Sequence, residues 1–163
     1  MGKFYEELGR ELSLYVRQLA WLGTAPKPRT GKSPKPEPES EPLTRLQRMA
    51  IDDLAPDFPI IRTPWVIDWL MEVGPTDPGA MGAVPISWAT IGQWQHCMGL
   101  DLPPWLVRLL RKLSVEFVAE TVRAREPDCP PPWTATSVLN RDEVSRKVSN
   151  AFRALMMSKE PST

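Results

Sequence analysis

The stretch TPWVIDWLMEVGPTDPGAMGAVPISWATIGQWQHCMGLDLPPW, residues 63–105, indicates the fold class of this chain. It holds five of the seven tryptophans in the protein. On both sides of a loop rich in glycine and proline, apolar side chains recur every three or four residues, which is the periodicity of an amphipathic α-helix. We therefore expect two short helices in this stretch and a third that begins at its last proline and tryptophan.

Capping residues predict where the two short helices begin and end. Thr63 followed by Pro64 is typical of a helix start, with Thr63 as the cap, and Gly74 is expected to end this helix. Ser87 is the expected cap of the second helix, which Gly99 is expected to end.

The longest helix is predicted over about residues 104–124. Its apolar face consists of Trp105, Leu106, Leu109, Leu110, Leu113, Phe117, Val118 and Val122. The intervening residues 74–86, rich in glycine and proline, predict a loop. No segment alternates for long enough to predict a strand, so we expect an all-α fold with a small core of about three helices.

A helical arm is predicted at each end of this core. Residues 3–22 carry apolar side chains at helical spacing, at Phe4, Leu8, Leu12, Tyr15, Leu19 and Leu22. Residues 140–157 do the same, at Val144, Val148, Phe152 and Leu155. A shorter helix fits residues 43–54, with Leu43, Leu46, Ala50 and Leu54. The first of these helices would be marginal in isolation, so it must pack on another surface.

Proline-rich segments divide the chain into parts. Residues 24–42 contain six prolines and no large apolar side chain, which predicts a flexible linker; a ligand for an SH3-like partner is the alternative. The predicted organisation is an N-terminal helix (1–23), this linker (24–42), a tryptophan-rich helical core (43–126), a proline-rich break (127–139), and a C-terminal helix with its tail (140–163).

Residues that carry catalytic or metal chemistry are few and scattered. The single histidine, His96, stands beside Cys97, and neighbours on a helix point about 100° apart, too far for a catalytic dyad. His96, Cys97 and Cys129 also lack the spacing along the sequence that is typical of a metal site. No phosphate-binding glycine motif occurs. We therefore expect no catalytic residue, no metal, no cofactor and no enzymatic activity.

Charge and hydropathy restrict the partners. The chain has 20 Lys and Arg against 20 Asp and Glu, whereas a dedicated nucleic-acid binder usually has a basic excess. The sequence has two small basic groups, which fit solvated helix faces, with phosphate binding as the alternative: Arg108, Arg111 and Lys112, and then Arg141, Arg146, Lys147 and Arg153. No apolar run approaches the ~20 residues that span a bilayer. We expect no nucleic-acid or membrane partner, and a soluble protein with reduced cysteines.

The tryptophans allow two interpretations. In one they are core residues that fill the space between three helices. In the other, one or two line a groove for a partner's helix, because three short helices have little interior for five indoles and tryptophan is favoured at interfaces. Trp88 and Trp105, near helix starts, are expected in the core. The candidate partner-binding residues are Trp65, Trp69, Leu70, Trp94 and Met98, with Trp65 and Trp69 foremost.

Part of this stretch resembles a known family. Its motifs are Gly79-Ala80-Met81-Gly82; Pro85-Ile86-Ser87-Trp88 with Ile91 and Trp94; and Gly99, Leu102, Pro104-Trp105 and Leu113. They are similar to small tail-assembly proteins of long-tailed (siphovirus-type) bacteriophages, in which a proline loop leads into a Ser/Thr-capped helix with Trp-x-x-Ile-x-x-Trp. The resemblance covers about residues 65–120. Residues 1–54 and those after 133 match no pattern of this family.

The resemblance implies a tail assembly chaperone that is not an enzyme and that acts in the host cytoplasm during virion assembly. Its gene would lie between those of the tail tube and the tape measure. The expected partners are the tape measure protein, the tail tube protein and further copies of itself. Whether the chain is a whole chaperone, its downstream half or a relative that stays in the virion is left open. The alternatives are a structural virion component (tail or connector) held by the arms 1–22 and 140–157, and a small regulator of a host protein.

Overall fold

The structure is a computed structural model that describes residues 2–28 and 42–135, with side chains from residue 5 onward. This part of the chain contains five helices and a two-stranded sheet. They are α1 (Gly2–Leu22), α2 (Arg45–Ile51), α3 (Pro64–Val73), β1 (Asp77–Gly79), β2 (Gly82–Val84), α4 (Trp88–Met98) and α5 (Pro104–Ala124). The predicted all-α class is confirmed, with a small hairpin added to it. The helix predicted over 140–157 lies outside the described residues.

The two long helices α1 and α5 form the centre of the core. They run side by side in the same direction, since the Tyr5 ring lies 5.0 Å from that of Trp105 near their starts. Near their ends, Arg17 Nε lies 2.8 Å from Glu120 Oε2. The buried cluster is Leu8, Leu12, Val16, Val66, Ile67, Leu70, Ile86, Ile91, Leu106, Leu110 and Leu113. The N-terminal helix predicted over 3–22 is thus present, and it shares one core with the tryptophan-rich helices.

Local capping bonds account for most of the helix ends. Ser87 Oγ accepts a hydrogen bond from the Thr90 amide at 3.0 Å, and Gly99 ends α4 in the left-handed conformation with φ of 65°, as predicted. The side-chain cap predicted at Thr63 is wrong. Its ψ of 67° is not the extended conformation that a capping side chain needs, and its Oγ1 is buried without a hydrogen-bond partner among the described residues.

The predicted loop over residues 74–86 contains a β-hairpin that the sequence pattern does not reveal. β1 and β2 pair antiparallel, with Gly79 opposite Gly82 across a two-residue turn. A Cβ on Gly79 would lie 2.5 Å from Val84 Cγ1, so this close approach needs glycine. Strands of three residues are too short to display an alternating pattern, which is why periodicity misses them.

The helix α2 buries a charged residue and exposes apolar ones. Thr44 and Gln47 form a reciprocal capping box at its start. Arg45 is only 8% exposed. The apolar side chains Leu43, Leu46, Ile51 and Leu54 are exposed instead. The short helix predicted within 43–54 is present, but its apolar residues do not enter the core.

Candidate protein-binding surface

Three tryptophans from α3 and α4 form a continuous aromatic cluster. The rings of Trp65 and Trp69 lie 4.9 Å apart, edge to face. The rings of Trp69 and Trp94 lie 6.0 Å apart in a similar arrangement. Such edge-to-face pairs are favourable beyond the area they bury. The first pair follows from the i,i+4 spacing along α3, whereas only tertiary packing brings Trp94 to the cluster.

This cluster is partly open to solvent. Trp65 is 40% exposed, whereas Trp69 and Trp94 are half-buried against the core. Met98 lies one turn beyond Trp94 on α4 and is 51% exposed. We call Trp65, Trp69, Trp94 and Met98 the tryptophan surface. Four of the five residues predicted to contact a partner therefore share one surface region.

The fifth predicted contact residue, Leu70, is not available at the surface. Its side chain is completely buried, and those of Val66 and Ile67 are buried beside it. These three residues form the side of α3 that packs into the core. The prediction for Leu70 as a partner contact is therefore wrong. Because α3 has apolar residues on nearly all sides, its sequence alone does not say which side is buried.

The prediction that Trp88 and Trp105 belong to the core is also wrong. Trp88 is 55% exposed and Trp105 is 37% exposed. The Arg111 guanidinium lies over the Trp88 ring, 5.5 Å from its centre. The apolar side chains that α4 and α5 bury near their starts are Ile91 and Leu106. Both indoles therefore lie at the edge of the core.

A carboxylate in the hairpin anchors the start of α4. Asp77 Oδ2 accepts hydrogen bonds from the Thr90 hydroxyl and from the Ser87 amide, each at 2.7 Å. These bonds, the Thr90 hydroxyl foremost, hold the pKa of the Asp77 carboxyl below its ordinary value. The carboxylate form therefore stabilises this helix start, in addition to the cap from Ser87 itself.

Side chains of α5 bind the chain just before and just after the hairpin. Ser114 is completely buried, and its hydroxyl accepts from the Ile86 amide at 2.8 Å and donates to the Pro75 carbonyl at 2.7 Å. Arg111 donates to the Ile86 carbonyl. Because these bonds fix both ends of the hairpin, the core positions α4 and hence Trp94 relative to α3.

Acidic side chains border the tryptophan surface. Asp68 and Glu72 are exposed. They follow Trp65 by three and seven residues, so all three side chains lie on the same face of α3. Asp101, exposed, follows the end of α4. Within the described ranges no ion pair involves any of these three carboxylates. The surface thus combines aromatic rings with uncompensated negative charge.

A second open feature lies between the starts of α1 and α5. It is a groove of about 280 Å³ lined by Tyr5, Glu6, Leu8, Gly9, Trp105, Arg108, Leu109 and Lys112. Its walls are mostly apolar, and two cations from α5 stand against one carboxylate from α1. This basic groove is therefore opposite in charge to the tryptophan surface.

The sequence singles out three side chains with metal or nucleophilic chemistry, those of His96, Cys97 and Cys129. His96 and Cys97 both lie on the exposed side of α4, and the half-buried Cys129 is a free thiol. In the described part of the chain, no three His, Cys, Asp or Glu side chains are grouped closely enough to hold a metal ion. No described helix is both long and apolar enough to cross a membrane.

The residues that carry the resemblance to tail-assembly proteins serve the fold of one region. Gly79 permits the hairpin, Ser87 caps α4, Gly99 ends it, and Pro104 begins α5. No protein-family model, no curated protein and no solved structure matches the chain.

Proposed function

We propose that this protein is a non-enzymatic tail assembly chaperone of a long-tailed bacteriophage. It binds and shields the tape measure protein through the tryptophan surface and helps to recruit tail tube subunits. The observation that carries this proposal is the partly exposed aromatic cluster of Trp65, Trp69 and Trp94. The motifs of residues 79–113, which resemble those of tail-assembly proteins, suggest which partner the cluster serves.

The cluster has the properties of a binding site for an apolar helix. Its rings are large and carry few rotatable bonds, so little side-chain entropy is lost when a partner covers them. Trp69 and Trp94 are already held against the core, which makes the cluster preorganised. An amphipathic helix laid on α3 and α4 would cover these rings and bury its own apolar face. A long helical partner would thereby stay soluble until assembly buries the same face elsewhere.

Co-expression tests this function. The chain is expressed with the long helical tape measure protein of the same phage, and soluble yield and co-purification are measured. We expect the two proteins to co-purify and the tape measure protein to gain solubility. Absence of both effects would contradict the proposal.

A matched pair of variants tests the surface. Trp65→Ala removes an exposed ring from the cluster and should weaken binding by about 2 kcal/mol, roughly thirtyfold, because tryptophan anchors dominate many interfaces. Trp88→Ala removes another exposed indole, which lies outside the cluster, and should leave the affinity nearly unchanged. Far-UV circular dichroism of both variants checks that each is folded. Equal effects of the two variants would assign the binding to some other surface.

Mass spectrometry of purified particles tests the alternative of a structural virion component. A chaperone should be absent from mature particles, whereas a tail or connector component would be present in fixed stoichiometry. The packing of α1 into the core does not favour the version of this alternative in which residues 1–22 dock on a neighbour.

A further inference from the structure

Charge is unevenly distributed over this protein, although its formal net charge is zero. From residue 63 to residue 107 there is no lysine or arginine, and the four acids in that stretch are Asp68, Glu72, Asp77 and Asp101. Asp77 is occupied by the hydrogen bonds at the start of α4. The other three are exposed. Two of them, Asp68 and Glu72, share the face of α3 that carries Trp65, so negative charge borders the tryptophan surface.

The nearest cations along the sequence do not neutralise these carboxylates. On the N-terminal side, Arg62 forms an ion pair with Glu11 of α1, in which Arg62 Nη2 lies 2.9 Å from Glu11 Oε1. On the C-terminal side, Arg108 lines the basic groove with Lys112. Arg111 lies over the Trp88 ring. The positive charge is thus held away from Asp68 and Glu72.

The position of the two α3 carboxylates relative to Trp65 restricts what can bind. They lie one turn apart along the outer side of α3, Asp68 about one turn after Trp65 and Glu72 about one turn after Trp69. A helix that lies along α3 over both rings must bring its own flank close to both carboxylates. A flank of Asp or Glu would place like charges together as water is excluded, whereas Lys or Arg would pair with them. A cationic side chain near the indole also gains a cation–π contact.

We infer that the tryptophan surface selects one class of partner, an amphipathic helix whose apolar face is flanked by lysine or arginine. This inference rests on the proposed function, because it assigns a partner chemistry to the same surface. The apolar face of the partner covers Trp65, Trp69 and Trp94, and its cationic flank pairs with Asp68 and Glu72. The rings provide affinity, and the carboxylates provide selectivity and the orientation of the bound helix.

Two synthetic peptides test this selectivity on the full chain. Both are helical, tryptophan-free, about 18 residues long and identical along a Leu/Ile face. One carries lysines along the flanks of that face, and the other carries glutamates. Isothermal titration calorimetry at low ionic strength should show about tenfold tighter binding of the lysine peptide. The preference should shrink as salt is added, because exposed charges are screened.

Charge-neutral variants locate the source of the preference. Asp68→Asn with Glu72→Gln should bring the two affinities to within about twofold of each other, mainly by weakening the lysine peptide. Asp52→Asn with Asp53→Asn removes two exposed acids next to α2 and changes the net charge equally, so it is the matched control and should leave the preference intact.

Three results would overturn the inference. They are equal affinity of the two peptides for the unaltered chain, tighter binding of the glutamate peptide, and an equal loss of preference in the two double variants. If the tape measure protein still binds in a Trp65-dependent way while the Asp68 and Glu72 variant keeps full affinity, the partner-charge inference fails and the proposed function stands. If Trp65→Ala has no effect on either peptide or on the tape measure protein, the surface itself is wrong.

Discussion

Arg45 is a buried cation that joins three segments of the chain. Its guanidinium donates to the backbone carbonyls of Trp21 and Thr24, each at 3.3 Å, and of Glu126 at 3.1 Å. It also lies over the Trp21 ring, 4.5 Å from the centre. Burial lowers the pKa of this guanidinium from its ordinary value. The end of α1, the start of α2 and the segment after α5 are thereby held together.

Replacing Arg45 should destabilise the fold although the residue is polar. In Arg45→Ala three buried or half-buried carbonyls lose a charged donor, and the expected decrease in the free energy of unfolding is about 2–3 kcal/mol. Urea unfolding followed by circular dichroism measures it. Arg48→Ala is the control, because Arg48 is an exposed arginine on the same helix and its loss should cost less than about 0.5 kcal/mol. Similar costs for both variants would show that the Arg45 contacts do not stabilise the fold.

The stability of the start of α4 should decrease in acid. Because the fold lowers the pKa of Asp77, its carboxylate stabilises the protein above the unfolded pKa of about 3.9. This contribution is lost as the pH falls through the lower, folded pKa. Asp77→Asn should therefore lower the free energy of unfolding at neutral pH and reduce its dependence on pH below about pH 4. Urea unfolding at a series of pH values checks both effects.

A second variant separates the hydrogen bond from the charge. Thr90→Val keeps the shape of the side chain and removes the hydroxyl that donates to Asp77. It should also reduce the dependence of the free energy of unfolding on pH below about pH 4, because the Thr90 hydroxyl is the main cause of the lowered Asp77 pKa. A pH profile that is unchanged in both variants would contradict the role assigned to Asp77.

The folded protein should depend on α1. It contributes Leu8, Leu12 and Val16 to the core, packed along α5. Deletion of residues 1–23 would leave one side of α5 exposed, and we expect the shortened chain to lose cooperative thermal unfolding.

Leu12→Ala should lower the free energy of unfolding by about 2–5 kcal/mol, because the side chain is completely buried.

The control for Leu12→Ala is Leu46→Ala, which removes the same atoms from an exposed position on α2. Its cost should be within about 0.5 kcal/mol of zero. Scanning calorimetry compares the three proteins with the unaltered chain. A shortened chain that unfolds as cooperatively as the whole would show that α1 is an independent appendage.

Local sequence patterns are sufficient to predict the helices of the described chain. The periodicity around Leu12 and around Leu110 predicts α1 and α5, and Ser87 and Gly99 predict the two ends of α4. Such predictions succeed because helix formation and capping depend on neighbours within four residues. The same reasoning found Trp65 and Trp69 on one helix face, which is a local property of α3.

Which apolar side chains are buried depends on the tertiary packing. Leu70 became core and Trp88 stayed exposed, although both lie at helical spacing among apolar residues. Burial depends on where α5 and the hairpin lie, and the broad apolar faces of these short helices fit several arrangements. Arg45 shows the same limit, since the carbonyls that accept its hydrogen bonds come from residues up to 81 positions away. The acid-bordered tryptophan surface exists because packing joins α3 to α4, and no spacing along the chain encodes that contact.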